Sequence, residues 1–227
     1  MYKRLLVPNI LLLLLVITSC TNDKMSISSN YLSLEVNTKG QLVKLEDIST
    51  GVNYLFEGDS SYFLQLESSG KTVQPSSTSA KGNRLIFYFD TLDATATLAF
   101  KQYPSYLTFE LISLESTNKI ENVIWGAYKV KLTDKVGQSL GVAYNDEFAI
   151  GLMGLNLKSC GGFEIIPRER FGNTAQKMGN YTSLQGFTRN RAEARVQNSC
   201  LQELTQTVAI LDSDSTLIGS RFAIYGI

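Results

Sequence analysis

From Tyr31 onward the apolar residues recur at every second position, and that period decides the fold class. In YLSLEV, Leu32, Leu34 and Val36 share one face while Ser33 and Glu35 take the other. Only an extended strand with one buried face puts alternate side chains on the same side. The segment TKG (38–40) then turns the chain, and QLVKLED continues with Leu42 opposite Val43, followed by Leu45, which predicts a hairpin. YFLQLE (62–67) repeats the pattern, with Tyr62, Leu64 and Leu66 alternating with Gln65 and Glu67.

The alternation persists down the chain. Residues 68–82 are rich in Ser, Thr and Gly and read as a surface loop or a weak edge strand. RLIFYF (84–89) is apolar on both sides, which predicts a central strand. DATATLAF (93–100) sets Ala94, Ala96, Leu98 and Phe100 on one face, and YLTFEL (106–111) opposes Leu107, Phe109 and Leu111 to Tyr106, Thr108 and Glu110. IENVIWGAYKVKL (120–132) and GVAYNDEFAIGLMGL are equally strand-like, with Asn145-Asp146 as a tight turn between two apolar runs.

Residues 160–183 (CGGFEIIPRERFGNTAQKMGNYTS) carry four glycines and little period, and read as a long irregular excursion. SLQGFT (183–188), TVAILDS and RFAIYGI return to strand character, while RNRAEARVQNSCLQEL leaves room for a helical turn or two. The expectation is an all-β chain with little helix: an antiparallel β-sandwich of about a dozen strands over residues 31–227.

Composition excludes more than it assigns. Lys plus Arg and Asp plus Glu each number 21, so no net field draws the chain to nucleic acid. Tyr and Phe number eleven each against four Pro, a bias toward strands. There is no histidine, which removes Ser-His-Asp and Cys-His nucleophilic schemes and most zinc sites. No cofactor is expected.

The first residues speak to destination. Lys3 and Arg4 precede an apolar segment whose clean run, Ile10–Ile17, is far too short to span a bilayer, a pattern that matches a secretory leader. The run exits through Thr18 and Ser19 into Cys20, an arrangement that resembles the lipobox of bacterial lipoproteins. That resemblance implies cleavage after residue 19, acylation of Cys20 and a polar tether over 20–30; the alternative is an ordinary leader with an incidental cysteine. Two further cysteines, Cys160 and Cys200, either form a disulfide, which an exported compartment permits, or act as buried thiols.

Chemistry must come from carboxylates, Lys, Tyr and Arg. Paired carboxylates hydrolyse glycosidic bonds, and the candidates are Glu121, Asp146, Glu147, Glu164 and Glu169. Asp146 and Glu147 fit a turn as well as a site, and Glu121 fits a solvated strand end. Glu164 and Glu169 lie among Arg168 and Arg170, as a ligand cluster or as surface ion pairs. Trp125, beside Gly126, offers a face for stacking on a sugar ring or a large core side chain. Tyr144, Tyr181 and Phe187 are weaker candidates of that kind. Arg189, Arg191 and Arg195 suit carboxylate or sulfate groups or a solvated loop.

The segments IENVIWGAYKVKL, VGVAYNDEFAIGLMGLNLKSCGG and GNYTSLQGFTRNR resemble the amino-terminal region of large Bacteroidetes lipoproteins. Those are in turn similar to galactose-mutarotase-like supersandwich domains that precede catalytic domains of glycoside hydrolases. The resemblance implies a supersandwich over nearly the whole mature chain and an accessory role in carbohydrate binding, held at the outer membrane beside a downstream catalytic domain. It transfers no catalytic residue, because aldose epimerases of that fold use histidine. Carbohydrate contact is expected at Trp125, Glu164, Arg168, Arg170 and Arg189. The chain stops at Ile227 in or just after an apolar strand, which reads as the front part of something longer. Two rival readings are a structural or adhesive surface lipoprotein without sugar specificity, and a free-standing hydrolase using carboxylates alone.

Overall fold

The computed structural model describes residues 24–57, 60–137, 141–155, 174–177, 182–189 and 217–227. Among them lie seventeen strands and one short 3-10 turn, Asp90–Leu92, and every strand pairing is antiparallel. The chain is an all-β sandwich.

A four-stranded sheet runs in the order β1 (Lys24–Ser28), β2 (Leu32–Asn37), β3 (Gln41–Asp47) and β4 (Ser61–Tyr62). Across an eight-stranded sheet the order is β12 (Lys135–Gly137), β13 (Val142–Tyr144), β14 (Ala149–Gly154), β17 (Arg221–Gly226), β10 (Tyr106–Ser116), β9 (Ala94–Gln102), β8 (Arg84–Phe89) and β7 (Ser77–Lys81). The five-stranded sheet consists of β15 (Thr174–Lys177), β16 (Thr182–Arg189), β11 (Asn122–Val130), β5 (Leu64–Ser68) and β6 (Lys71–Val73).

The sheets are held face to face by aromatic contacts. Phe63, between β4 and β5, meets Phe109 of β10 edge-on at 4.9 Å and Phe87 of β8 at 6.0 Å. Trp125 of β11 lies 4.9 Å from Phe222 of β17. All of these rings are buried, and fully burying a large apolar side chain is worth roughly 1.5–3 kcal/mol.

Local differences from the expected pattern have physical causes. Leu42 and Leu45 are both buried although three residues apart, which a regular strand forbids. The pairing of β2 with β3 slips between Glu35–Lys44 and Val36–Leu42, so Val43 is a β-bulge that returns both leucines to the core. Tyr62 does not share a face with Leu64. The chain changes sheets at Phe63, and both Phe63 and Leu64 are buried while Tyr62 is half-buried. RLIFYF is not central: β8 is next to the edge strand β7, with Leu85, Phe87 and Phe89 buried but Tyr88 exposed. Strand β1 occupies part of the expected tether at 20–30, because Ile27 is buried and Met25 packs against the core. Strand β15 likewise falls inside the stretch 160–183 that lacked a period.

The hairpin turns behave as their residues dictate. Asn145 Oδ1 accepts the backbone N–H groups of Glu147 at 2.9 Å and Phe148 at 2.7 Å, closing the loop between β13 and β14. Ser69 and Gly70, between β5 and β6, both have positive φ (52° and 68°), the geometry of a tight type I′ hairpin.

Candidate ligand cleft

The bulge at Val43 prepares a concave site. Past it, β3 is accompanied by the segment 52–57 rather than by a full strand. Asn53 fixes that segment, its Oδ1 accepting the N–H of Leu45 at 3.0 Å and of Leu55 at 3.1 Å. The N–H of Tyr54 donates to the carbonyl of Leu45 at 2.8 Å. The chain then leaves β3 for β11: Phe56 N–H donates to the Lys129 carbonyl at 2.8 Å, and Lys131 N–H to the Tyr54 carbonyl at 2.7 Å. It comes back to β3 as β4, with Tyr62 opposite Gln41. One short stretch thus bridges two sheets and leaves a cleft of about 420 Å³ where it departs.

Leu42 and Leu55 give the cleft its apolar floor; Gln41, Val43, Asn53, Phe56, Glu57 and Ser60 form the rest of its lining. Its size falls within the range of small-ligand sites. Phe56 is half-buried and contributes a ring. Gln41 Oε1 accepts from Asn37 Nδ2 at 2.9 Å, which orients its amide. At the lip, Lys131 Nζ donates to Glu57 Oε1 at 2.9 Å. That hydrogen bond, with the attraction of the ammonium behind it, holds the Glu57 carboxyl below the usual glutamate range. Glu57 is therefore ionised at neutral pH and is no proton donor. Among the described residues, Glu57 is the one carboxylate of the lining.

The structure distributes the residues singled out by sequence differently. Trp125 is 1% exposed and lies against Phe222. An indole in that position presents no face to a sugar, so the core role replaces the stacking one. Arg189 ends β16 at the register position opposite Asn122, three residues along β11 from Trp125. Phe187 stands opposite Ile124. Glu121 Oε2 accepts the Gly70 N–H at 3.0 Å and so clamps the hairpin turn between β5 and β6. Asp146 is 91% exposed and pairs with Lys135 at 2.7 Å, whose ammonium also sits 5.9 Å from the centre of the Tyr144 ring. Cys20, Cys160, Glu164, Arg168, Glu169, Arg170, Tyr181, Arg191, Arg195 and Cys200 lie outside the described residues. Among the described residues, no three Cys, Asp or Glu side chains gather as a metal site.

Sequence reasoning missed the cleft because Asn53, Phe56, Glu57 and Ser60 belong to no periodic segment, and nothing local brings them beside Gln41, Leu42 and Val43 of β3. The usable signal was the spacing of Leu42 and Leu45, which demands a bulge.

No family model matches the chain, and no curated protein sequence matches it. Among solved structures, it is similar to an Escherichia coli K12 protein provisionally named as an aldose 1-epimerase. The two share 10% identity with a TM-score of 0.47, over 90% of this chain and 98% of that one.

Proposed function

We propose that this chain is a lipid-anchored accessory domain that binds carbohydrate beside a catalytic partner domain and turns over nothing itself. The observation that carries the reading is the lining of the cleft: one half-buried aromatic ring, two oriented amides and one ionised carboxylate around an apolar floor. Neutral sugars offer apolar C–H faces and many hydroxyls, and this lining complements both. Acylation of Cys20 tethers the domain to the outer membrane, where polysaccharide is met. The motivation is the leader sequence, whose apolar run ends at that thiol.

The test is a glycan array probed with the full chain, followed by calorimetry on any glycan retained. Phe56→Ala is expected to weaken binding about tenfold, a loss of about 1.4 kcal/mol, without shifting the unfolding midpoint appreciably. Flat binding across the array would discard the carbohydrate reading and favour a structural surface protein. Release of reducing ends by the purified chain would discard the accessory role. For the anchor, incorporation of labelled palmitate should vanish in Cys20→Ala; labelling that persists, or none in the unaltered chain, would refute it.

A further inference from the structure

The start of the first strand limits how far the domain can stand from an anchor at Cys20. Strand β1 begins at Lys24 and belongs to the fold rather than to a tether. Ile27 is buried, Met25 packs against the core, and the strand pairs with β2 from Lys24–Asn37 to Ser28–Ser33. Four peptide units separate Cys20 from Lys24. Fully extended, they span at most roughly 14 Å.

The sheet register carries that limit across to the cleft. Lys24 stands opposite Asn37, the Asn37 amide donates to Gln41 at 2.9 Å, and Gln41 stands opposite Tyr62. These four residues form one row at one end of the four-stranded sheet. Gln41, which lines the cleft, is two strands from Lys24, roughly 10 Å. The turn between β2 and β3 closes this end. Asn37 Oδ1 accepts the N–H groups of Lys39 at 3.0 Å and Gln41 at 2.9 Å, and the Thr38 carbonyl accepts the Thr78 N–H at 2.7 Å. The exposed side chains of Thr38 and Lys39 are thus carried on a fixed frame. The Lys24 side chain is 60% exposed, with its Nζ 3.7 Å from Glu35 Oε2. One exposed carboxylate, Asp90, follows β8 nearby, its N–H donating to Ser76 Oγ at 3.3 Å. The far end of the sheet differs. Strand β3 runs from Gln41 to Asp47, roughly 20 Å, and beyond it the Ile48 N–H donates to the Tyr31 carbonyl at 2.9 Å. Tyr31, Ile48 and Val52 are each more than two-fifths exposed.

We infer that the end of the sandwich carrying Lys24 and the turn 37–41 is apposed to the phospholipid surface that holds the acyl chains, a proposal that rests on the acylation of Cys20 proposed above. Reach decides the orientation. Standing on its other end, the domain would lift Lys24 by about the 20 Å length of β3, beyond what the four peptide units allow. In the apposed orientation Lys24 and Lys39 meet headgroup phosphates, which attract them. Gln41 then lies within roughly 25 Å of Cys20, less than the roughly 30 Å of a bilayer's hydrocarbon core. The cleft meets its ligand at the membrane surface, and Tyr31, Ile48 and Val52 face away from it.

The experiment places the full acylated chain on phosphatidylcholine–phosphatidylglycerol vesicles with an acceptor dye on the headgroups. A fluorescent amino acid is installed in place of Thr38 or of Ile48, both exposed, so neither replacement disturbs the core. Energy transfer to the dye is expected to be severalfold stronger from position 38 than from position 48. A Gly/Ser linker of about twenty residues inserted between Asn22 and Asp23 should bring the two together, because it frees the domain to tumble. Equal transfer from the two positions with the natural tether, or stronger transfer from position 48, would overturn the apposition and leave the anchor standing. A difference that survives the linker would overturn the short tether as its cause. No transfer from either position would also overturn the apposition, and the palmitate label then tells whether the acylation of Cys20 falls with it.

Discussion

The hydroxyl of Tyr128 donates a 2.9 Å hydrogen bond to the backbone carbonyl of Phe63, joining two points 65 residues apart in a fully buried setting. Phe63 is where the chain passes from the four-stranded to the five-stranded sheet, and its carbonyl also accepts the Gly126 N–H at 3.3 Å. Burial alone pushes the Tyr128 phenol far above its ordinary range, so it remains a donor at any working pH. Tyr128→Phe removes the shorter of that carbonyl's two hydrogen bonds and leaves the one from Gly126, which costs about 0.5–1.5 kcal/mol. Urea unfolding should show a lower midpoint with an unchanged slope; an unaltered midpoint would mean that water replaces the hydroxyl.

Asp47 makes stability depend on acid. Its side chain is buried at the end of β3. Burial opposes ionisation, but hydrogen bonds from Thr50 and Ser49 outweigh it, and the carboxyl titrates below its usual value. A carboxylate lowered on folding stabilises the fold above the ordinary aspartate pKa, about 3.9, and loses that contribution as pH falls through the folded-state value. Melting temperatures followed from pH 6 to pH 2 should fall less steeply in Asp47→Asn than in the unaltered chain. Parallel curves would remove Asp47 from the acid response.

Gly40 is doubly constrained. It has a φ of +73°, and an added Cβ would meet Pro75 Cγ at 2.5 Å and Thr78 Oγ1 at 2.7 Å. Gly82 has a φ of +60° with open space around it. Both alanine variants pay about 1–2 kcal/mol for the left-handed backbone, and only Gly40→Ala must also displace the edge of the larger sheet. Gly40→Ala should therefore be the more destabilised of the two in a denaturant series. Equal losses would show that the Pro75 segment yields freely.

Glu57 reports on the lip of the cleft. Its carboxyl is lowered first by the hydrogen bond from Lys131 and then by that ammonium's charge. In Lys131→Ala the carboxyl should titrate at a higher pH, read from the side-chain carbon shift in an NMR titration. An unmoved midpoint would mean that the pair does not persist in solution.

The strands were legible wherever one face is buried and the other wet. Leu32, Leu34 and Val36, or Ala94, Ala96 and Leu98, announce their faces without help. Legibility failed where geometry departs from two-residue periodicity: at Val43, whose bulge is implied only by the spacing of its neighbours, and at Phe63, where consecutive residues both turn inward. It failed also in RLIFYF, since apolar residues on both faces do not reveal that a strand lies near an edge. The cleft escaped notice because Asn53, Phe56 and Glu57 are gathered by a crossing between sheets that no local pattern records. Trp125 shows the opposite error: a residue type suited to sugars is used for packing when its neighbours in space are Phe222 and the core.

The position of β17 has a kinetic consequence. This strand, drawn from residues 221–226, sits between β14 and β10, and it alone joins the two halves of the eight-stranded sheet. During synthesis, β10 emerges more than a hundred residues before the partner that will cover its edge. Contact order of that kind slows folding and leaves hydrogen-bonding edges open in the meantime. The larger sheet is therefore expected to complete its hydrogen bonding only once Arg221–Gly226 is available to pair with both β14 and β10.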